Sequence, residues 1–385
     1  MDRACQDRRN CTITEHLSAI DSSVPSGEYT YLPIERVHIG PGIITRLRDE
    51  LDRIGSRRLF LVTGQSIAQK TDLIARVEHA AGTKLAGVFS EIKQHAPMSG
   101  IRRAATAIRE SKADSLVSLG GGSPIDSTKI IVKELSEDFQ RPAIPHIAVP
   151  TTLSAAEFSH IAGMTDEKLN RKTGFRDLRM VPRLIFLDPE LTIPTPGWLW
   201  ASSGVRSLDH AAEAVYSPNH QPYVDTLALK AIHLLFQNLK NSTENPADLM
   251  SRLNCQLAAW MSFAGVVSVG TGLSHSIGRV IGATWNIPHG ITSCLTLSEV
   301  MRMEAKRNPE RLALIARAEG KNTEGVPTDE AALDAADGVA DLVRRLGLSK
   351  RLRDYGISKG DLPKIARDVA AGESADAIQI LERIW

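Results

Sequence analysis

One short run in the first third of the chain restricts the fold more than any other feature. Ser115-Leu116-Val117-Ser118-Leu119 reads as a strand, and it runs straight into Gly120-Gly121-Gly122-Ser123-Pro124-Ile125-Asp126. Three glycines let a backbone approach a pyrophosphate with no Cβ in the way. Pro124 suits the first turn of a helix, whose N-terminus aims a positive dipole end at the phosphates. The run is neither GxGxxG nor a Walker loop. A plain strand-to-helix turn needs one glycine, so the triplet points to a dinucleotide. Gly120, Gly121, Gly122, Ser123 and Asp126 are its candidate cofactor contacts.

The flanking sequence repeats the alternation. Strands are expected at residues 58–63, 85–89, 146–150 and 183–188, and helices at 66–81, 99–111 and 124–134. Strands alternating with helices predict a largely parallel sheet covered on both faces. After Asp188-Pro189 helical periods dominate, including Ala-rich segments at 257–265 and 331–346. The expected organisation is therefore a polar N-terminal extension at 1–28, an α/β dinucleotide-binding domain at 29–188 and a helical substrate domain at 189–385. Ligands of open α/β sheets sit at the carboxyl ends of the strands, which directs attention to the cleft between the two domains.

Two further segments bear on the cofactor. Thr151 and Thr152 follow Pro150 at the end of a strand, where their hydroxyls suit a ribose or a carboxamide, although Thr also caps helices. After the first expected strand comes Thr63-Gly64-Gln65-Ser66. NAD-preferring enzymes often place an acid near this point to bind the ribose and repel a 2′-phosphate. Gly64 supplies no repulsion and Ser66 offers a donor, so NADP(H) is favoured over NAD(H).

The chain carries 46 basic and 45 acidic side chains for a net charge of +1, which argues against nucleic acid as the main partner and gives no reason to expect a membrane surface. No apolar stretch nears the roughly 20 residues that cross a bilayer. Met1 to Asn10 does not read as a secretory signal. Cys5, Cys11, Cys255 and Cys294 form no CxxC pair, so free thiols in the cytoplasm are expected.

The glycine triplet with Ser123, Asp126 and Lys129, then Pro150-Thr151-Thr152, then Asp188-Pro189-Glu190-Leu191-Thr192, resembles the iron-containing alcohol dehydrogenase superfamily. Leu208-Asp209-His210-Ala211-Ala212-Glu213-Ala214, Ile287-Pro288-His289-Gly290 and Leu346-Gly347-Leu348-Ser349-Lys350 with Leu352 fit it too. The resemblance runs from about residue 31 to 385. The spacing from Pro150 to Glu157 is similar to that of its maleylacetate reductase branch. The resemblance implies a dehydroquinate-synthase-like fold, with a Rossmann-like domain followed by a helical one. It also implies hydride transfer with NAD(P), a homodimer, and Lys172 near the cofactor ribose. In the metal-using members one Asp and three His bind a divalent ion. Those positions fall on Arg206, His210, His275 and His289, and a family proton-transfer His falls on Arg279.

The spacings carry meaning of their own. Arg206 and His210 are four apart, as are His275 and Arg279, so each pair shares a helix face. His289 follows Pro288 at an expected loop-to-helix junction. Three imidazoles suit zinc or iron. Arg206, however, replaces the anionic ligand, and a guanidinium about 5 Å from a divalent ion is repelled by about 7 kcal/mol at an effective dielectric near 20. No metal is therefore expected. Two Arg at adjoining positions suggest an anionic substrate group, unless a local acid such as Asp209 or Glu213 takes the charge. His160 and Trp285 are candidate substrate contacts; Trp198, Trp200 and Trp260 are expected to pack.

Together these features describe an NAD(P)H-dependent reductase of a small, anionic carbonyl or activated-alkene substrate. The proton donor is left among His210, His275 and His289. Three alternatives stay open: a metal-dependent alcohol dehydrogenase, a carbocycle-forming synthase on the same fold, and a non-catalytic nucleotide-binding homologue.

Overall fold

Four strands of the first half carry almost nothing but aliphatic, aromatic and small residues. These are β2 (Leu59–Gly64), β4 (Ser115–Gly120), β5 (His146–Pro150) and β8 (Leu184–Leu187), and every residue in them is buried. Strands of this kind need cover on both faces, which parallel sheets with crossover helices provide. The computed structural model describes residues 28–139, 143–167, 171–369 and 374–385, without the side chains of residues 138, 139, 166, 171, 172 and 374. The expected extension up to residue 27, Cys5, Cys11 and the Lys172 side chain lie outside the described residues.

With β1 (Arg36–Ile39) and β3 (Leu85–Ile92) the buried strands form a six-stranded sheet of order β1-β8-β5-β4-β2-β3, parallel throughout. On one face Leu47 and Leu51 of α1 (Leu47–Arg53) and Leu73 and Val77 of α3 (Leu73–Ala81) pack on Leu59, Leu61, Val117 and Leu119. On the other, Ile101 and Ile108 of α4 (Met98–Ser111) and Ile130 and Ile131 of α5 (Gly122–Phe139) pack on Phe60, Val62 and Leu116. The alternation of strand residues between the two faces is the period-two rule at work.

Three details differ from expectation. The helix expected at 66–81 is broken into α2 (Gln65–Lys70) and α3, because extended Thr71 bonds backward to Ile67 O and forward to Leu73 N. Helix α5 starts at Gly122, which leaves Pro124 inside its first turn. A two-stranded antiparallel unit, β6 (Ile161–Asp166) and β7 (Arg171–Arg176), was not foreseen. Its sequences, IAGMTD and RKTGFR, carry only a two-residue apolar alternation, Ala162 and Met164, too short to mark a strand.

The rest is helical: α6 (Gly197–Tyr216), α7 (Pro222–Glu244), α8 (Leu249–Val269), α9 (Leu273–Thr284), α10 (His289–Glu304), α11 (Pro309–Ala318), α12 (Thr328–Arg345), α13 (Leu362–Asp368) and α14 (Ser374–Ile384). Helix α6 runs through the middle and is buried almost throughout from Trp200 to Tyr216. It is seated by close approach: a Cβ on Gly290 of α10 would lie 2.5 Å from the Ser202 carbonyl of α6. Helix α6 also meets the sheet, since Val205 and Leu208 share a core with Ala148, Ile185 and Leu187. Trp200 and Trp260 pack as expected, but Trp198 is 53% exposed at the start of α6. No single helix among the described residues is long and apolar enough to cross a membrane.

Candidate active site

Strand β4 ends at Gly120, whose φ of +139° is a conformation side chains rarely adopt. Its carbonyl accepts a bond from Thr151 N at 2.9 Å, tying the glycine loop to the segment after β5. A Cβ on Gly121 would lie 3.0 Å from Thr152 Cγ2, so the two loops touch as closely as glycine allows. Ser123 Oγ accepts from His95 N at 3.1 Å. Leu153 N then donates to Ser203 Oγ at 3.0 Å, and Ser207 Oγ donates to Leu153 O at 2.5 Å. The cofactor loops are thus fastened directly to α6, the helix that carries the next set of residues.

Behind the glycine loop lies a buried acid–base group. Lys129 Nζ donates to the carbonyls of Ala156 and Ile161 and lies 3.9 Å from Asp126 Oδ1. Burial pushes Lys129 down to about 8, Asp126 up to about 6 and Glu157 up to about 7. Asp126, expected as a cofactor contact, also lies beside Lys129. A carboxylate beside a diphosphate would be repelled, whereas beside a buried ammonium it is stabilised.

Helices α6, α9 and α10 bring together Arg206, Asp209, His210, Glu213, His275 and Ser293. Asp209, fully buried, is the hub. Its Oδ2 accepts from Ser293 Oγ at 2.6 Å and Ser274 Oγ at 2.9 Å. The same oxygen lies 3.4 Å from His275 Nδ1 and 3.6 Å from Arg206 Nη1, and that guanidinium also donates to Ser293 Oγ at 3.1 Å. Glu213 caps α9 from α6. Its Oε1 accepts from Ser274 N and its Oε2 from Gly272 N, at 2.8 and 2.5 Å. Its Oε2 is also 2.7 Å from His275 Nδ1, a close charge contact without the alignment of a hydrogen bond.

The electrostatics follow from this wiring. Burial alone would raise Asp209, but His275, Arg206 and Ser293 outweigh it and hold its carboxyl below the usual range. Burial and Arg206 push His275 down, but Asp209 and Glu213 prevail and raise it. His210 is pushed well below its usual value by burial and by His275, whose ring is 4.9 Å away. The site therefore holds a neutral His210 beside a His275 that favours its charged form.

Arg206 and Arg279, expected to face one anionic group, lie close enough for Arg279 to act on Arg206 but differ in their surroundings. Arg206 is mostly buried and matched by Asp209. Arg279 is exposed on α9, donates to Ser276 Oγ at 3.3 Å, and has no carboxylate within 4.0 Å among the described residues. His289 opens α10, and its ring meets His95 edge-on at 5.9 Å. Trp285 is half-buried at the end of α9, packed on the helical core. His160 sits at the base of the β6–β7 unit, lowered by burial and then by Arg176 and Lys129, and makes no described contact with the histidine cluster. Ser66 is exposed at the start of α2. Gly64 has a steric reason to be glycine, since a Cβ would lie 3.1 Å from Ile92 O. Asp209 and Glu213 had entered only as possible partners for Arg, and His95 had not been singled out. The spacing Arg206-x-x-Asp209 was the available signal for the first.

The family model for iron-containing alcohol dehydrogenase matches residues 34–189, and that for the C-terminal part of the family matches residues 200–380. The chain belongs to the iron-containing alcohol dehydrogenase family. It is an NAD(P)-dependent oxidoreductase with the family's two-part fold. It is 28% identical over 335 residues to maleylacetate reductase 1 of Cupriavidus pinatubonensis, covering 87% of this chain and 88% of that one. It is 29% identical over 378 residues to lactaldehyde reductase of Escherichia coli, covering 91% and 98%. The crystal structure of maleylacetate reductase from Agrobacterium tumefaciens superimposes with a TM-score of 0.82 at 25% identity, covering 94% and 99%.

The family's name raises the question of iron. Ligand atoms of Asp209, Glu213 and His275 lie within 4.8 Å of one another, the one such trio among the described residues. Glu213 already accepts three backbone N–H groups, Asp209 Oδ2 two hydroxyls, and the Arg206 guanidinium is adjacent. That trio, with a fixed cation beside it and its lone pairs already engaged, is a poor fit for a divalent ion. The nicotinamide cofactor does fit, since the glycine loop is a cradle that a side chain would fill.

Proposed function

We propose that this oxidoreductase reduces a small acidic oxo or activated-alkene substrate with NADPH and without a catalytic metal. The pairing of the two arginines carries the proposal: Arg206 is matched by Asp209, whereas Arg279 faces solvent with no carboxylate within reach among the described residues. A fixed neutral pair exerts little pull on a metal ion, and an unmatched guanidinium offers a planar fork to a carboxylate. When bound, the reduced nicotinamide supplies hydride. Gly120, Gly121, Gly122 and Ser123 at the N-terminus of α5 take the diphosphate. Thr151 and Thr152 hold the nicotinamide end. Arg279 binds the substrate carboxylate, and Arg206, kept in place by Ser293 and Asp209, stabilises charge developing on the substrate oxygen. The absence of an acid at Gly64 and the hydroxyl of Ser66 favour NADPH. The resemblance to maleylacetate and lactaldehyde reductases supports an oxo substrate.

The test is to follow oxidation of NADPH and of NADH by purified protein with maleylacetate and with lactaldehyde, before and after chelation. Higher kcat/KM for the acidic substrate and for NADPH, unchanged by chelator, is expected. Activity lost on chelation and restored by iron or zinc would overturn the metal-free reaction. Equal kcat/KM for the two substrates would overturn the acidic one.

A further inference from the structure

The turn between β3 and α4 holds two consecutive non-glycine residues in the left-handed region, His95 at φ +64° and Ala96 at φ +48°. Such conformations persist only where neighbours over-determine them, and they gather at functional sites. Four bonds hold this turn. His95 N donates to Ser123 Oγ of the glycine loop at 3.1 Å, and Ala96 N donates to Lys93 O at 3.2 Å. Thr165 of β6 binds the other side, with Oγ1 donating to His95 O at 3.0 Å and N donating to Ala96 O at 3.2 Å. The outcome is that the His95 ring reaches across to α10 and meets His289 edge-on at 5.9 Å. One residue thereby touches the cofactor loop through its backbone and His289, at the start of α10, through its ring.

We propose that His95 is a substrate-binding residue that, with His289, lines the side of the site facing the cofactor loop and donates a hydrogen bond to an oxygen of the substrate. This rests on the reductase function proposed above. The site is then built from both halves of the chain. Arg279 approaches the substrate from α9 and His95 from the sheet domain.

Two variants test this while preserving the turn. Asn tolerates the left-handed region and glycine adopts it without strain, so His95→Asn and His95→Gly both keep the backbone and remove the imidazole. Both are expected to lower kcat/KM for the substrate by about 10- to 100-fold, as for loss of one bond to a charged group. The KM for NADPH should stay within about twofold, and the melting temperature of His95→Gly should equal or exceed that of the wild type. Substrate kcat/KM within threefold of wild type in both variants would overturn the proposal, as would a loss that falls on NADPH instead. If the wild-type enzyme reduces only neutral aldehydes, the acidic-substrate function fails, yet the same comparison on an aldehyde still decides the role of His95.

Discussion

Replacing Arg279 by Gln separates a substrate-binding arginine from a structural one. Arg279 is exposed, and its one described bond is to Ser276 Oγ, so its removal leaves no buried charge unpaired. Surface changes of this kind shift stability by about 0.5 kcal/mol or less. A hydrogen bond to a charged group contributes about 1.5–3 kcal/mol, and solvent access at Arg279 places the contact near the lower end. At 1.36 kcal/mol per decade this is roughly a tenfold loss. The expected result is a tenfold drop in kcat/KM for the acidic substrate, little change for a neutral aldehyde, and an unaltered urea midpoint. Arg279→Lys should recover only part of the loss, because an ammonium lacks the guanidinium fork. Raising salt should weaken the wild type's preference for the acid and leave the Gln variant unmoved. Arg206→Gln behaves differently. It removes one of the two cations beside buried Asp209, leaving His275 and two hydroxyls, at a cost of about 1–3 kcal/mol in stability, and should impair acidic and neutral substrates alike. Equal losses on acidic and neutral substrates for Arg279→Gln would refute the assignment of the carboxylate to Arg279.

Three further outcomes follow from the geometry. Gly121→Ala places a methyl 3.0 Å from Thr152, forcing the loops apart; overpacking of about 1–3 kcal/mol should raise the NADPH KM about tenfold, and an unchanged KM would show that the loop contact is dispensable. Glu213→Gln can satisfy the α9 N-terminus only through one carbonyl oxygen; urea unfolding should show a loss of about 1–3 kcal/mol, and wild-type stability would contradict the capping role. His146 is pushed down to about 3 by burial and then by Lys129, so below pH 6.5 the unfolded chain takes a proton that the folded one refuses. Its contribution is therefore lost as pH falls, by about 2 kcal/mol between pH 7 and pH 5, and His146→Gln should flatten that part of the stability curve. Identical pH slopes in variant and wild type would contradict it.

Much of the first half was legible in the sequence because its information is local. A buried parallel strand must be apolar throughout, so β2, β4, β5 and β8 announced themselves. A glycine triplet after a strand is a backbone requirement written into consecutive residues. The β6–β7 unit was not legible, since its buried apolar alternation is confined to Ala162 and Met164, too short for a chain segment to reveal alone. Spacing put Arg206 and His210 on one helix, and His275 and Arg279 on another. The spacing Arg206-x-x-Asp209 offers a match within α6, but what surrounds Arg279 depends on where α6, α9 and α10 cross. The seating of Gly290 against Ser202 fixes α10, with Ser293, against α6; Glu213 capping α9 sets His275 beside Asp209. The sequence by itself determined a dinucleotide-binding sheet, a helical second half and a family. Only the tertiary structure decided what surrounds each arginine and brought His95 across to His289, through contacts between segments distant in the chain, such as the 3.1 Å bond from Arg206 to Ser293.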